Sequence, residues 1–365
     1  MNKKRILLVT SEFPPQPGGI GNHAYYLALY LTKKDFNVTV VADQRDSENA
    51  SEIAFDAALP FAVTRIAIKR FRFLMYFNRV VKTLSGFKKA DTIIATGKFS
   101  LWAVAACSLL YKRQTLAVLH GTEVNFKSLM LRKSINLALK QFNKITAVSR
   151  YTRQLVAHLE KEVTVIPNGI DLNAWPQTKE ATNSLHGFPI ITTVGRVSER
   201  KGQKQIIKIL PELLKQYPNA QYHCVGIPTE APQLQELAAN LGVANHVKFH
   251  GALTHTNLKH VLGATNIFAM LSVESTSGDI EGFGIAILEA NAMGIPAIGS
   301  RNCGIEDAIS NGYSGFLVSS NHGQEFCVAV AQILSKEAAF KQQARHWAEQ
   351  HDWQQIIKKY VALIS

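Results

Sequence analysis

The sequence predicts an α/β protein of two doubly wound, parallel-sheet domains. Three observations predict it. Short apolar runs of strand length alternate along the chain with longer stretches of helix length. In each half an apolar run leads through a glycine-rich turn into a helix, first at Gly18–Gly21 and again at Gly195–Gly202. The length of 365 residues suits two ordinary domains, each able to bury its own core.

Composition narrows the class. Hydrophobic residues make up 47% and charged residues 18%, which is globular and not disordered. The net charge is +13, and it is one-sided. Residues 1–175 carry 25 Lys and Arg against 12 Asp and Glu, whereas residues 176–365 carry 15 of each. Such an excess points to an anionic partner: a membrane surface, nucleic acid or a phosphate-bearing substrate. Cys107, Cys224, Cys303 and Cys327 stand singly, so neither zinc nor redox chemistry is indicated and a reducing compartment is expected. The first apolar run is too short for a signal peptide, and no run reaches the roughly 18 apolar residues of a membrane span. A cytoplasmic protein is the expectation.

The elements follow in order. Arg5 to Thr10 is a buried first strand, and Gly18-Gly19-Ile20-Gly21 turns into a helix from about Asn22 to Lys33. This is not Gly-x-Gly-x-x-Gly, so a nicotinamide-binding domain is disfavoured. Asn37 to Ala42 is the second strand, residues 43–60 read as polar and irregular, and Val63 to Ile68 is a strand. Lys69 to Leu84 mixes Lys69, Arg70, Arg72, Arg79 and Lys82 with Phe71, Phe73, Leu74, Met75, Tyr76 and Phe77. That composition suits a helix lying on an anionic membrane, and equally a core helix with a solvated basic face. Nucleic acid is not expected, since no binding-module signature accompanies it. Asp91 to Thr96 and Thr115 to Leu119 are strands, the second ending in His120-Gly-Thr-Glu123. A histidine at the C-terminal end of a parallel strand stands where such sheets place ligands, although a lone histidine is more often structural. Lys144 to Ser149 and Val163 to Asp171 close the half, and residues 172–188 read as a linker.

In the second half, the strand from Pro189 leads into Gly195-Arg196-Val-Ser-Glu-Arg-Lys201-Gly202 and a helix from Gln203. Arg196 and Lys201 are suited to phosphate, one as a planar fork and one as a point charge; the plain alternative is two exposed bases in a turn. Asn266 to Ser272 is a strand, followed by Glu281-Gly282-Phe283-Gly284-Ile285 and, eight positions after Glu281, Glu289. The glycines admit close approach of a ligand, and free N–H groups of a following helix attract phosphate. Glu289 is expected about two turns into that helix. The bland reading is a turn with acidic residues near a helix start. A final helix runs from Gln354 to Ile364.

The run from Glu281 to Glu289 resembles the E-x7-E signature of glycosyltransferase family 4, the retaining enzymes of GT-B fold. The Pro-Gly-Gly-Ile-Gly turn, His120-Gly-x-Glu, Ile166-Pro-Asn-Gly-Ile-Asp171 and Gly195-Arg196 with Lys201-Gly202 are similar to further motifs of that family, in its order. The resemblance implies two Rossmann-like domains facing across a cleft: residues 1–172 on the acceptor side, with 352–365 crossing back onto them, and 173–351 on the donor side. It implies His120, Arg196, Lys201 and Glu281 as catalytic residues. It implies Gly19, Arg196, Lys201, Gly282, Phe283, Gly284, Ile285 and Glu289 as donor-binding residues, with Glu281 on sugar hydroxyls and Glu289 on the ribose. No metal and no cofactor are expected, the nucleotide-diphosphate sugar being a co-substrate. The variant Gly-Asp-Ile-Glu-Gly-Phe-Gly-Ile looks most like the phosphatidylinositol mannosyltransferase branch and leans to GDP-mannose, with UDP-glucose or UDP-N-acetylglucosamine as the alternatives. The implied function is hexose transfer to a glycan or lipid-linked acceptor in cell-surface polysaccharide or glycolipid synthesis, at the inner face of the cytoplasmic membrane. A phosphorylase or a non-catalytic carbohydrate-binding subunit would share the fold.

Overall fold

A computed structural model describes residues 3–176, 185–276 and 278–365, the side chain of Arg72 excepted. The chain divides into two compact units, Met1–Asn168 with Trp353–Ser365, and Gly169–Asp352. Most of the stretch expected as a linker, 177–184, lies outside the described residues. Just before it, Asp171 caps a short turn at Leu172–Ala174, and Trp175 is buried.

The first unit alternates strand and helix. Its elements are β1 Arg5–Thr10, α1 Gly19–Lys33, β2 Asn37–Asp43, α2 Ala50–Ala57, β3 Ala62–Ile66, α3 Arg72–Lys89 and β4 Thr92–Thr96. There follow α4 Lys98–Ser108, β5 Gln114–Leu119, α5 Leu129–Lys140, β6 Lys144–Ala147, α6 Arg150–Leu155 and β7 Val163–Val165. The strands form one parallel sheet in the order β3-β2-β1-β4-β5-β6-β7. Side chains of a strand alternate between faces, so β1 serves two cores. Leu7 and Val9 pack with α3, α4 and α5, while Ile6 and Leu8 pack with α1 and the last helix of the chain.

The second unit holds β8 Ile190–Val194, α7 Gln203–Gln216, β9 Gln221–Val225, α8 Ala231–Asn240, β10 Val247–Gly251 and α9 His255–Gly263. It continues with β11 Ile267–Met270, α10 Ile285–Ala292, β12 Ala297–Ser300, β13 Gly315–Val318, α11 Gly323–Ser335 and α12 Glu337–Gln350. Its parallel sheet runs β10-β9-β8-β11-β12-β13. The chain then returns to the first unit as α13, Trp353–Ile364. Trp353, Ile356, Ile357, Tyr360 and Ile364 follow helical spacing and are all buried against the α1 side.

Four expectations are corrected. Residues 43–60 are not irregular, because α2 occupies their middle; Glu52 on it is fully buried and accepts the backbone N–H of Arg45 at 2.9 Å. Helix α1 begins at Gly19, three residues before Asn22, with Gly18 as its cap. β3 stops at Ile66, and the helix after it runs later and longer than Lys69 to Leu84. Arg79 is not on a solvated face. It is buried, paired in fork geometry with Asp43 at the end of β2, and its guanidinium sits 4.8 Å from the Phe99 ring centroid.

Candidate active site

Each parallel sheet has a position where the chain reverses its direction of winding, and loops leaving the two flanking strands diverge there to leave room for a ligand. In the second unit the flanking strands are β8 and β11. The loop after β8 carries Arg196 to Gly202, and the loop after β11 leads to Glu281. Gly202 has φ +77°, and a Cβ there would stand 1.9 Å from the Leu271 carbonyl oxygen, so only glycine lets the two loops touch. Ser272 Oγ and the Val273 N–H donate to the Arg200 carbonyl at 2.5 and 3.2 Å, and the Thr276 N–H donates to Glu199 at 3.0 Å.

These contacts bring three charged side chains together. Lys201 Nζ lies 2.6 Å from Glu281 Oε2. Arg200 Nη1 donates to the same oxygen, and Arg200 Nε pairs with Asp279 Oδ2 at 3.2 Å. Burial works against ionisation of Glu281, but Lys201 and Arg200 outweigh it and hold the carboxyl at about 2. Glu281 is therefore an anion with one oxygen committed. Among the described residues Oε1 receives no hydrogen bond, and Arg196, which is exposed, has no ion-pair partner.

Beyond Glu281, Phe283 is buried, and Gly284 at φ +88° caps α10 in the left-handed conformation. The loop lies close under a short turn at Gly304–Asp307, where the Gly304 N–H donates to the Glu281 carbonyl at 2.9 Å. A Cβ on Gly304 would come within 1.9 Å of the Gly282 oxygen. Because α10 starts at Ile285, Glu289 stands one turn in, not two. The protein packed around it pushes its carboxyl up to about 7, against the pull of Lys201. Ile285 opens the helix, so first-turn N–H groups and Glu289 belong to one short element.

In the first unit the reversal lies between β1 and β4, with β5 next to β4. Gly19 opens α1 there, after a loop held from outside: Arg45 donates to the Gln16 and Pro17 carbonyls at 3.2 Å, and Arg65 to the Pro14 carbonyl at 2.5 Å. His120 follows β5 directly. Its Nε2 is 2.7 Å from Thr96 Oγ1, and its backbone N–H donates to Glu123 Oε1 at 2.5 Å. Burial drives His120 down to about 3 and Glu123 up to about 7, so at neutral pH the imidazole is uncharged. His23 of α1 stands edge-on to the His120 ring at 4.9 Å and meets the Tyr360 hydroxyl of α13 at 3.0 Å.

The sequence reading missed Arg200, His23 and Thr96. Arg200 was visible, lying between two named cations, but nothing in the string says that it turns toward Glu281, 81 positions on. His23 carried no signal, since Tyr360 is 337 positions away.

Comparison with known proteins agrees with this anatomy. Two family models match: Glycosyltransferase Family 4 over residues 17–174 and Glycosyl transferases group 1 over residues 176–351. A protein of Mycolicibacterium smegmatis named as a GDP-mannose-dependent alpha-(1-6)-phosphatidylinositol monomannoside mannosyltransferase is 28% identical, over 99% of this chain and 98% of its own. One of Corynebacterium glutamicum, named as the GDP-mannose-dependent monoacylated alpha-(1-6)-phosphatidylinositol monomannoside mannosyltransferase, is 28% identical over 91% and 89%. Among solved structures, Anabaena HepE in complex with UDP and glucose superposes with TM-score 0.81 at 21% identity, over 99% of both chains. Sucrose-phosphate synthase from Thermosynechococcus elongatus gives 0.81 at 19%, over 99% and 98%. At such identity these two speak for the fold, which is GT-B with two Rossmann-like domains. With both halves matched by their family models and the curated relatives aligned nearly end to end, the chain belongs to glycosyltransferase family 4 and is a hexosyltransferase.

Proposed function

We propose that this hexosyltransferase moves mannose from GDP-mannose, with retention of configuration and without a metal ion, to a lipid-linked acceptor in glycolipid or cell-surface polysaccharide synthesis. The observation that carries the donor side is the meeting of Arg200, Lys201 and Glu281 where the loops after β8 and β11 touch, followed by the N-terminus of α10. Breaking the bond between the sugar C1 and the diphosphate oxygen puts positive charge on the sugar and negative charge on the leaving group. Arg196, Lys201 and the N–H groups from Phe283 to Ile285 supply the charge that stabilises the leaving group. Glu281, held ionised, accepts from sugar hydroxyls, and Glu289 from the ribose. The acceptor oxygen bonds to C1 on the face the diphosphate leaves, and its proton passes to the departing phosphate oxygen. His120 is uncharged and suited to a hydrogen bond with a sugar hydroxyl, not to proton delivery.

The lean to GDP-mannose rests on relatives named for that donor. Their printed names also support a phosphatidylinositol-type acceptor. UDP is the second reading, since HepE has been solved with UDP and glucose. Thermal-shift titration with GDP, UDP and ADP separates them, because a ligand that binds the native state raises its midpoint. Transfer from GDP-mannose to a phosphatidylinositol mannoside acceptor is the direct assay, and a donor preference for UDP-sugars would replace the present reading. Activity should persist in excess EDTA; complete loss restored by magnesium or manganese would overturn the cationic clamp. Among the described residues no helix is long and apolar enough to cross a membrane. The surface offered to a bilayer is the exposed Phe71, Phe73 and Phe77 with the basic residues beside them.

A further inference from the structure

Arg200 is the cation of the donor site that the motif leaves without a role, and it is the most firmly held. Its carbonyl is fixed by Ser272 and Val273, and its guanidinium spans Asp279 and Glu281. Lys201, by contrast, reaches Glu281 on a flexible stem that passes over Gly195, where a Cβ would stand 3.0 Å from Lys201 Cε. Both cations converge on Oε2. An ammonium is a point charge that swings between partners, while a guanidinium bridged at two nitrogens is not free to do so. If Lys201 turns to a phosphate, Glu281 loses one of its two counter-ions, and a buried carboxylate left alone is strongly disfavoured.

We propose that Arg200 is the positioning residue of the donor site: bridged to Asp279, it holds the Glu281 carboxylate with Oε1 presented to a hydroxyl of the donor sugar while Lys201 is handed over to the donor diphosphate. This rests on the donor reading above and deepens it. Arg200 itself touches neither phosphate nor sugar. The charged or titratable groups facing Glu281 are Lys201 and Arg200 of the first loop, Asp279 of its own loop, and Cys303 after β12, while Glu289 on α10 also feels Lys201.

The test compares wild type, Arg200→Met and Arg200→Lys. Calorimetry with GDP and UDP, in buffers of different ionisation enthalpy near pH 6.5, reads proton uptake on binding. The wild type gives the baseline, set by the nucleotide phosphate and by Glu289, which also feels Lys201, while Arg200 keeps Glu281 ionised after Lys201 leaves. Arg200→Met should take up more protons than that baseline, since Glu281 then has no counter-ion once Lys201 moves. Its kcat for transfer should fall about 100-fold, the scale of a misplaced group in an active site, with nucleotide affinity changed only a few-fold. The acid limb of its pH–rate profile should move upward, and Arg200→Lys should restore most of both. A loss of nucleotide affinity as large as the loss of kcat would make Arg200 a direct phosphate ligand and overturn the proposal. So would an Arg200→Met variant with unchanged kcat and acid limb. Should Arg200→Met fail to fold, Asp279→Asn releases the same bridge while leaving the Arg200 charge beside Glu281, and should lower kcat without weakening nucleotide binding or raising the acid limb; an unchanged kcat overturns the proposal equally. A wild type that binds neither GDP nor UDP would instead sink the donor reading itself.

Discussion

Arg196 and Lys201 share a motif but not an environment. Arg196 is exposed and unpaired among the described residues, whereas Lys201 is largely buried against Glu281. Alanine at either position should cost on the order of 2–4 kcal/mol of transition-state stabilisation, read as kcat/KM, if both serve the diphosphate. Stability should part them. Arg196→Ala should leave the denaturation midpoint within about 0.5 kcal/mol of wild type, as surface changes do. Lys201→Ala removes one counter-ion of a buried carboxylate and should cost about 1–3 kcal/mol. Equal midpoints for the two variants would show that the Lys201–Glu281 pair contributes nothing. This difference was not legible in the sequence, where both residues read as members of one exposed turn. The pairing that separates them is made between loops 80 positions apart, and only the neighbouring of β8 and β11 brings those loops together.

At the scale of elements, α3 shows how composition misleads. Its basic and aromatic content suited a membrane face or, equally, a core helix with a solvated basic face, but the helix divides those residues between two tasks. Arg79 turns inward to Asp43 and lies against the Tyr76 and Phe99 rings. Phe73 and Phe77 stay 66% and 69% exposed. Arg79→Ser should therefore destabilise the protein by about 3–5 kcal/mol, the cost of stranding one partner of a buried pair, whatever it does to membranes. Phe73→Ser with Phe77→Ser should leave the denaturation midpoint unchanged and weaken sedimentation with anionic vesicles, binding that should also fall with added salt. Vesicle binding indifferent to both salt and these phenylalanines would remove the membrane reading. The strands were legible because buried parallel strands are continuous apolar runs that end in glycine turns. α2 was not, since an eight-residue helix among polar residues offers little periodicity. The start of α1 was hidden because its first turn is written in glycines, which read as a turn.

Across the whole molecule, buried ionisable groups set how stability responds to pH. His120 is held down to about 3 by burial, against an unfolded value of 6.5. It supports the fold fully above 6.5, and that support is lost as pH falls toward 3. Glu123, pushed to about 7 by burial from 4.5, works the other way: its support is complete below 4.5 and is lost as pH rises through 7. Glu123→Gln removes only the second slope. The variant should gain on wild type between pH 4.5 and 7 by no more than about 3 kcal/mol, followed as the difference in unfolding free energy; a difference independent of pH would mean that Glu123 is ionised freely in the fold. The return of α13 to the first unit has a separate consequence for biosynthesis. A ribosome releases Gly169–Asp352 before it releases Trp353, so in the nascent first unit the α1 face that carries His23 waits without Trp353 and Tyr360 while a whole second unit emerges. Domains otherwise tend to fold in order of synthesis. Here the half made first is the half completed last, and its apolar groove is open to chaperones, or to α13 of another nascent chain, for the full time that translation takes.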